Sequence, residues 1–115
     1  MNKKVVIYGY STLGSKIAQI LSEKSYEIII VDFDEENLEN AKNDGFAIQN
    51  SNLLDDNDLI ELGIVNDIDS LFCVSDFTNN NLFVTLSARN LNKELKIITI
   101  SQTKAEAKKL QIAGA

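Results

Sequence analysis

The sequence predicts an α/β fold, a Rossmann-like doubly wound sheet that is mainly parallel and lies between helices in three αβα layers. Three observations carry this. Short apolar runs rich in β-branched residues alternate with segments of helical periodicity. The runs are apolar throughout rather than at every second position, as strands covered on both faces must be. A glycine-containing turn follows the first run directly and leads into a helix.

The expected strands are Lys4–Tyr8, Ile28–Asp32, Ala47–Gln49, Leu71–Val74 and Ile97–Ile100, each too short for a helix. The first helical segment repeats Leu13, Ile17, Ile20 and Leu21 and runs through Ser15–Lys24. The second places Leu38 and Ala41 behind Asp34, an N-cap followed by an acidic first turn. Leu59, Ile60 and Leu62 mark the third, which Gly63 ends. Asn79–Asn90 and Thr103–Ile112 complete the alternation, with Thr78 or Asn79 as the cap of the former. Right-handed crossovers between parallel strands then give one open sheet. Five strands stand where a full dinucleotide-binding fold usually has six. The domain 1–115 is therefore expected to be part of a longer protein.

At 115 residues and 44% hydrophobic composition, the chain builds one core rather than two. The opening Met1 to Lys4 lacks an export signal, and no apolar run reaches the ~20 residues of a membrane-spanning helix. The lone Cys73 lies inside an apolar strand, where a buried structural thiol is expected. These features indicate the cytoplasm. Net charge is −6, and between Asp32 and Asp69 twelve Asp and Glu face the single Lys42. Nucleic acid is a poor partner for such a surface, because phosphate backbones need clustered Lys and Arg.

The turn Gly9-Tyr10-Ser11-Thr12-Leu13-Gly14 is a GxGxxG motif with Ser11 in the middle glycine's place. The first glycine permits the bend and the third allows close helix–strand packing, while the middle one normally admits a pyrophosphate. Helix amides and the positive end of the macrodipole still face an anion here. Asp32 ends the second strand eighteen residues past Gly14, where an acid hydrogen-bonds ribose hydroxyls and repels the extra phosphate of NADP. The expected ligand is NAD(H) or an adenine nucleotide (ATP, ADP or AMP). The alternative is a turn that binds none. Contacts are assigned to Gly9, Tyr10, Ser11, Thr12, Leu13, Gly14, Asp32 and Phe33, to Asn52 and Leu53 after the third strand, and to Ser75 and Asp76 after the fourth. The last two follow from the rule that ligands sit where strand order reverses, here between the first and fourth strands.

Catalysis is not expected. There is no His, none of the three tyrosines has a Lys four residues on, and Cys73 has no base to activate it. Asp55-Asp56 read as the start of a helix rather than as a metal site.

The chain resembles the N-terminal lobe of RCK domains, also called TrkA-N or KTN domains, which regulate potassium channels and transporters. The resemblance rests on Gly9-Tyr10-Ser11 with Gly14, Val31-Asp32, Ser51-Asn52, Leu59-Ile60-Glu61-Leu62-Gly63-Ile64, Asp69–Val74, Asn79-Asn80-Asn81-Leu82 and the closing Ala113-Gly114-Ala115. It implies a cytoplasmic gating domain, peripheral to or tethered to the inner membrane. Such a domain senses a nucleotide or other small ligand and acts through a homodimer or ring beneath a pore on the same chain or a partner subunit. Three positions depart from the family pattern: Ser11, Ser51-Asn52 in place of Gly-Asp, and the absence of an Arg around Ser101-Gln102. In the helix Asn79–Asn90, Leu82, Phe83 and Leu86 form one apolar stripe and Val84, Ala88 and Leu91 another, so one stripe is expected to meet a second subunit. Two readings compete with this one: a small NAD-dependent oxidoreductase fragment and an assembly domain that binds no ligand.

Overall fold

The computed structural model describes residues 3–101 and 103–115, so Met1, Asn2 and Gln102 lie outside the described residues. Strands and helices alternate as β1 (Lys3–Tyr8), α1 (Thr12–Ser22), β2 (Tyr26–Asp32), α2 (Glu35–Asn43), β3 (Ala47–Asn50), α3 (Asp56–Leu62), β4 (Ser70–Cys73), α4 (Thr78–Leu91), β5 (Lys96–Thr99) and α5 (Lys104–Ala113). The expected strands all form, with ends within two residues of the expected bounds.

All ladders are parallel, in the order β3-β2-β1-β4-β5. β1 is central, with Val6 opposite Ile29 on one side and Leu71 on the other. A central strand sends side chains into both layers, so it must be apolar at consecutive positions, and Val5 through Tyr8 are all buried. Val5 and Ile7 pack with Ala18 of α1 and Ala41 of α2. Val6 and Tyr8 pack with Leu59 of α3 and Val84 and Ala88 of α4. Each large apolar side chain so buried contributes roughly 1.5–3 kcal/mol, and β1 thereby fastens both helical layers to the sheet.

Helix α1 departs from the stripe its sequence suggests. Gly14 and Ala18 face the sheet, whereas Leu13 and Ile20 are 38% and 60% exposed. Close approach of helix to strand admits only small residues on the contact line; Ile17 and Leu21 pack against the core beside it, and Leu13 and Ile20 turn outward. Asp34 caps α2 by accepting from the Asn37 amide, Asp55 caps α3 by accepting from that of Asn57, and Thr103 caps α5 by accepting from that of Glu106. Asp55 is thus a helix cap, as expected. The expected cap of α4 is corrected: Thr78 is already helical, and Phe77, which precedes it, offers no side-chain cap. The loop is closed from within instead, the Phe77 amide donating to Ser75 Oγ at 3.3 Å.

The two stripes of α4 separate to opposite sides. Val84 and Ala88 are fully buried, while Phe83 and Leu86 are 48% and 51% exposed, so the helix is not enclosed within this chain. Arg89 locks the end of α4 to that of α5: Nε and Nη2 donate to the Gly114 carbonyl at 2.9 and 2.8 Å, and Nη1 to the Lys93 carbonyl at 2.8 Å. Cys73 is fully buried, and burial pushes its thiol up to about 12. No helix among the described residues is long and apolar enough to cross a membrane.

Candidate functional site

Strand order reverses between β1 and β4, and the loops that follow these strands open side by side at the carboxyl end of the sheet. Gly9 turns the chain out of β1 with φ +107°, a conformation closed to most side chains. A Cβ there would lie 2.4 Å from Ser75 Cα, and one on Gly14 would lie 1.8 Å from the Gly9 carbonyl oxygen. The two glycines therefore press the β4 loop, the turn and the first turn of α1 into one unit. Ser11 occupies the N-cap of α1 but does not cap it with its side chain. Its hydroxyl reaches across the crevice and donates to Asp76 Oδ1 at 3.0 Å.

Asp32 is buried and accepts four hydrogen bonds: from the Tyr10 amide at 2.7 Å and Asn37 Nδ2 at 3.1 Å on one oxygen, and from the amides of Phe33 at 2.7 Å and Asp34 at 3.0 Å on the other. A carboxylate offers about four acceptor positions, so the protein already occupies them. Of these donors only the Asn37 side chain can swing away to admit another, because the other three are main-chain groups.

Asn81 positions the β4 loop. Its Oδ1 accepts from the Ser75 amide at 3.1 Å and from Ser75 Oγ at 2.8 Å, and its Nδ2 donates to the Ser75 carbonyl at 2.9 Å. On the α3–α4 side, the Tyr8 hydroxyl donates to the Asn52 carbonyl at 2.7 Å and accepts from Asn80 Nδ2 at 3.4 Å. Burial raises the Tyr8 hydroxyl above the ordinary tyrosine range, which keeps it a donor.

Of the residues expected to touch a ligand, Gly9, Ser11, Asp32, Ser75 and Asp76 line one crevice, together with Phe77 and Asn37. Asn37 carried no sequence signal beyond its place in α2. Phe33 joins from above, its ring 5.3 Å from that of Phe77. Gly14 lies beneath the turn. Tyr10 and Thr12 open instead onto a neighbouring polar hollow of about 480 Å³ between α1 and α2, which shares Ser11 and Asn37 with the crevice. The Tyr10 side chain is buried, donates to Asp44 and packs edge-on to Phe46. Burial and then Asp44 push its hydroxyl up to about 12. Leu13 is on the flank of α1. Asn52 is exposed, and Leu53 has its side chain fully buried, so Leu53 offers a ligand only its backbone. That backbone has φ +54°, unusual for a leucine, and its amide donates to Ser51 Oγ at 3.0 Å.

Chemically, the crevice supplies hydroxyls, an amide, an aromatic ring and two carboxylates. Its volume is about 20 Å³, against roughly 300 Å³ or more for a site that holds a small organic molecule. The Ser11–Asp76 hydrogen bond and the Phe33–Phe77 pair both span it.

The family model described as TrkA-N domain matches residues 5–115. Potassium channel protein 1 of Methanocaldococcus jannaschii is 29% identical over 116 residues, covering 100% of this chain and 35% of that protein. The chain thus spans about a third of the length of this curated relative. Among solved structures, the TrkA-N domain of the inner membrane protein ybaL from Escherichia coli superposes with a TM-score of 0.88 at 15% identity, covering 100% of this chain and 84% of that one. The GsuK channel bound to NAD gives a TM-score of 0.86 at 17% identity over 100% of this chain and 21% of that one. GsuK bound to ADP gives 0.86 at 18% over 100% and 30%. At these identities the superpositions establish the shared fold.

Proposed function

Because the chain belongs to the TrkA-N domain family, we propose that it is a regulatory domain of a potassium channel or potassium uptake system, cytoplasmic and tethered or peripheral to the inner membrane. In this reading it senses an adenine nucleotide, NAD(H) or ATP, ADP or AMP, in the crevice between β1 and β4. The observation that carries it is the convergence of the α1 tip, Asp32 and the β4 loop at the point where strand order reverses. Gly9, Ser11, Asp32, Phe33, Ser75 and Asp76 are the proposed contacts, with the backbone of Tyr10, Thr12, Leu13 and Gly14 presenting amides and Asn52 and Leu53 bordering the far side. NAD and ADP bound to GsuK support this ligand class.

Binding has to part the Ser11–Asp76 and Phe33–Phe77 contacts. Phe77 adjoins the first residue of α4, the helix that bears the exposed Phe83 and Leu86, so displacement of the loop tilts or shifts the surface through which copies assemble into a dimer or ring. A ligand with different affinity for two ring geometries then biases the attached pore. Hydride-transfer chemistry has less support, because no His, Lys or Cys lines the crevice. Calorimetric titration of the chain with ATP, ADP, AMP, NAD and NADH tests the proposal. Saturable heat for at least one is expected; heat for none leaves an assembly domain with a vestigial turn.

A further inference from the structure

We propose that Tyr8 is a positioning residue that relays ligand occupancy from the loop after β3 to α4, through the side chain of Asn80. The inference rests on the nucleotide reading above and deepens it, by naming the contact through which the site reaches the outer helix. The first turn of α4 carries two neighbouring asparagines, and each holds one of the loops assigned to the ligand. Asn81 clamps the β4 loop with three hydrogen bonds of 2.8 to 3.1 Å to Ser75. Asn80 reaches the β3 loop by way of Tyr8: its Nδ2 donates to the Tyr8 hydroxyl at 3.4 Å, and that hydroxyl donates to the Asn52 carbonyl at 2.7 Å. The first of these joints is slack and the second tight, since N–H···O bonds ordinarily measure about 2.7–3.2 Å. One wall of the site is thus fixed to α4, and the other is held by a contact that can change.

The three parts differ in their freedom to move. Tyr8 is fully buried at the end of the central strand, opposite Val31 on one side and Cys73 on the other, so its hydroxyl is a fixed point. The β3 loop is braced internally, the Leu53 amide donating to Ser51 Oγ and the Leu54 amide to Asn52 Oδ1, each at 3.0 Å, and it shifts as one piece. A tyrosine hydroxyl has one proton to give, and burial of Tyr8 keeps that proton in place. While Asn52 receives it, Asn80 must present its NH₂ group to the hydroxyl oxygen. A ligand that draws the Asn52 carbonyl away frees the proton, and Asn80 then turns its amide oxygen to accept it. The exchange gives the start of α4 two arrangements, and a ligand resting on the β3 loop favours one of them.

The test compares the native chain with Tyr8→Phe, which keeps the buried ring and removes the hydroxyl, and with Asn80→Ala, which breaks the same link from the partly exposed side of α4. Each is titrated with ADP and with NAD, affinity being read by calorimetry and the response by backbone and side-chain amide chemical shifts. In the native chain the Asn80 side-chain amide is expected to shift along the same saturation curve as the Gly9 to Gly14 backbone. Tyr8→Phe and Asn80→Ala are each expected to leave affinity within about fivefold, the cost of one hydrogen bond. Both should at least halve the ligand-induced shifts from Leu82 to Leu86 of α4 while those of Ser75 to Phe77 persist. Combining the two substitutions should reduce the α4 response no further than either alone, because both cut one link. An α4 response of native size in Tyr8→Phe overturns the proposal, as does an Asn80 side-chain amide that stays unmoved at saturation. If neither ligand binds the native chain, the nucleotide reading fails and the relay with it, an outcome distinct from binding without a relay.

Discussion

The crevice and the outer flank of α4 are joined by the loop that leads into that helix and are finished in opposite ways. At the crevice, Asp32, Ser75 and Asn81 are buried and hydrogen-bonded within the chain, and no buried side-chain nitrogen or oxygen of the described residues lacks a partner. On the flank, Phe83 and Leu86 stand about half exposed, large apolar groups with nothing of this chain upon them. The difference teaches that the two regions are specified by different pressures. The crevice is shaped by internal contacts that fix its loops, whereas the flank presents large apolar groups that no described residue of this chain covers. Substitutions should therefore damage folding at the crevice and association at the flank.

The largest effect is expected at the glycines. Gly14→Ala drives a methyl into the Gly9 carbonyl, and Gly9→Ala drives one into the Ser75 backbone at a positive φ. Each should lose about 3 kcal/mol or more of stability, measured by urea denaturation. A loss below about 1 kcal/mol would mean that the turn and the β4 loop are not pressed together. Asn81→Ala comes next. It strips partners from the buried Ser75 amide and hydroxyl and should cost about 2 kcal/mol, with faster amide hydrogen exchange confined to the β4 loop and the start of α4.

These two predictions also mark how far the crevice could be foreseen. β1 and β4 were legible because a strand buried on both faces is apolar without alternation, and Asp32 was legible from its distance to the glycine turn. Asn81 was not, since it sits in a run of three asparagines that look alike in sequence. One signal was present: Asn81, Val84, Thr85 and Ala88 follow the i, i+3, i+4, i+7 spacing of a single helix face, and all four are buried. The occupants of Asp32 were hidden for another reason, because three are main-chain amides and carry no residue identity. The same holds for the α1 stripe, where contact distance rather than hydrophobicity decided that Gly14 and Ala18 face the sheet.

A smaller effect is expected at high pH, on the interior side of the turn. The Tyr10 hydroxyl is raised to about 12 in the folded chain from about 10 in the unfolded one. Its contribution to stability is whole below pH 10 and is lost as pH rises from 10 towards 12. Tyr10→Phe should flatten that part of the stability curve, and an unchanged slope would assign it to the buried Cys73 and Tyr8, whose shifts have the same sign. The smallest effect on stability belongs to the flank. Phe83→Glu combined with Leu86→Glu should change it by no more than about 0.5 kcal/mol per site, yet shift the sedimentation coefficient from an assembled form to a monomer. A variant that stays assembled would place the contact between copies elsewhere.

The central claim is that an adenine nucleotide enters between β1 and β4. Amide chemical-shift mapping during titration with NAD and with ADP tests it most directly. The expected result is a saturable set of shifts at Gly9 to Gly14, Phe33 and Ser75 to Phe77, extending into the start of α4. Saturable shifts centred on another surface, with those amides unmoved, would contradict it.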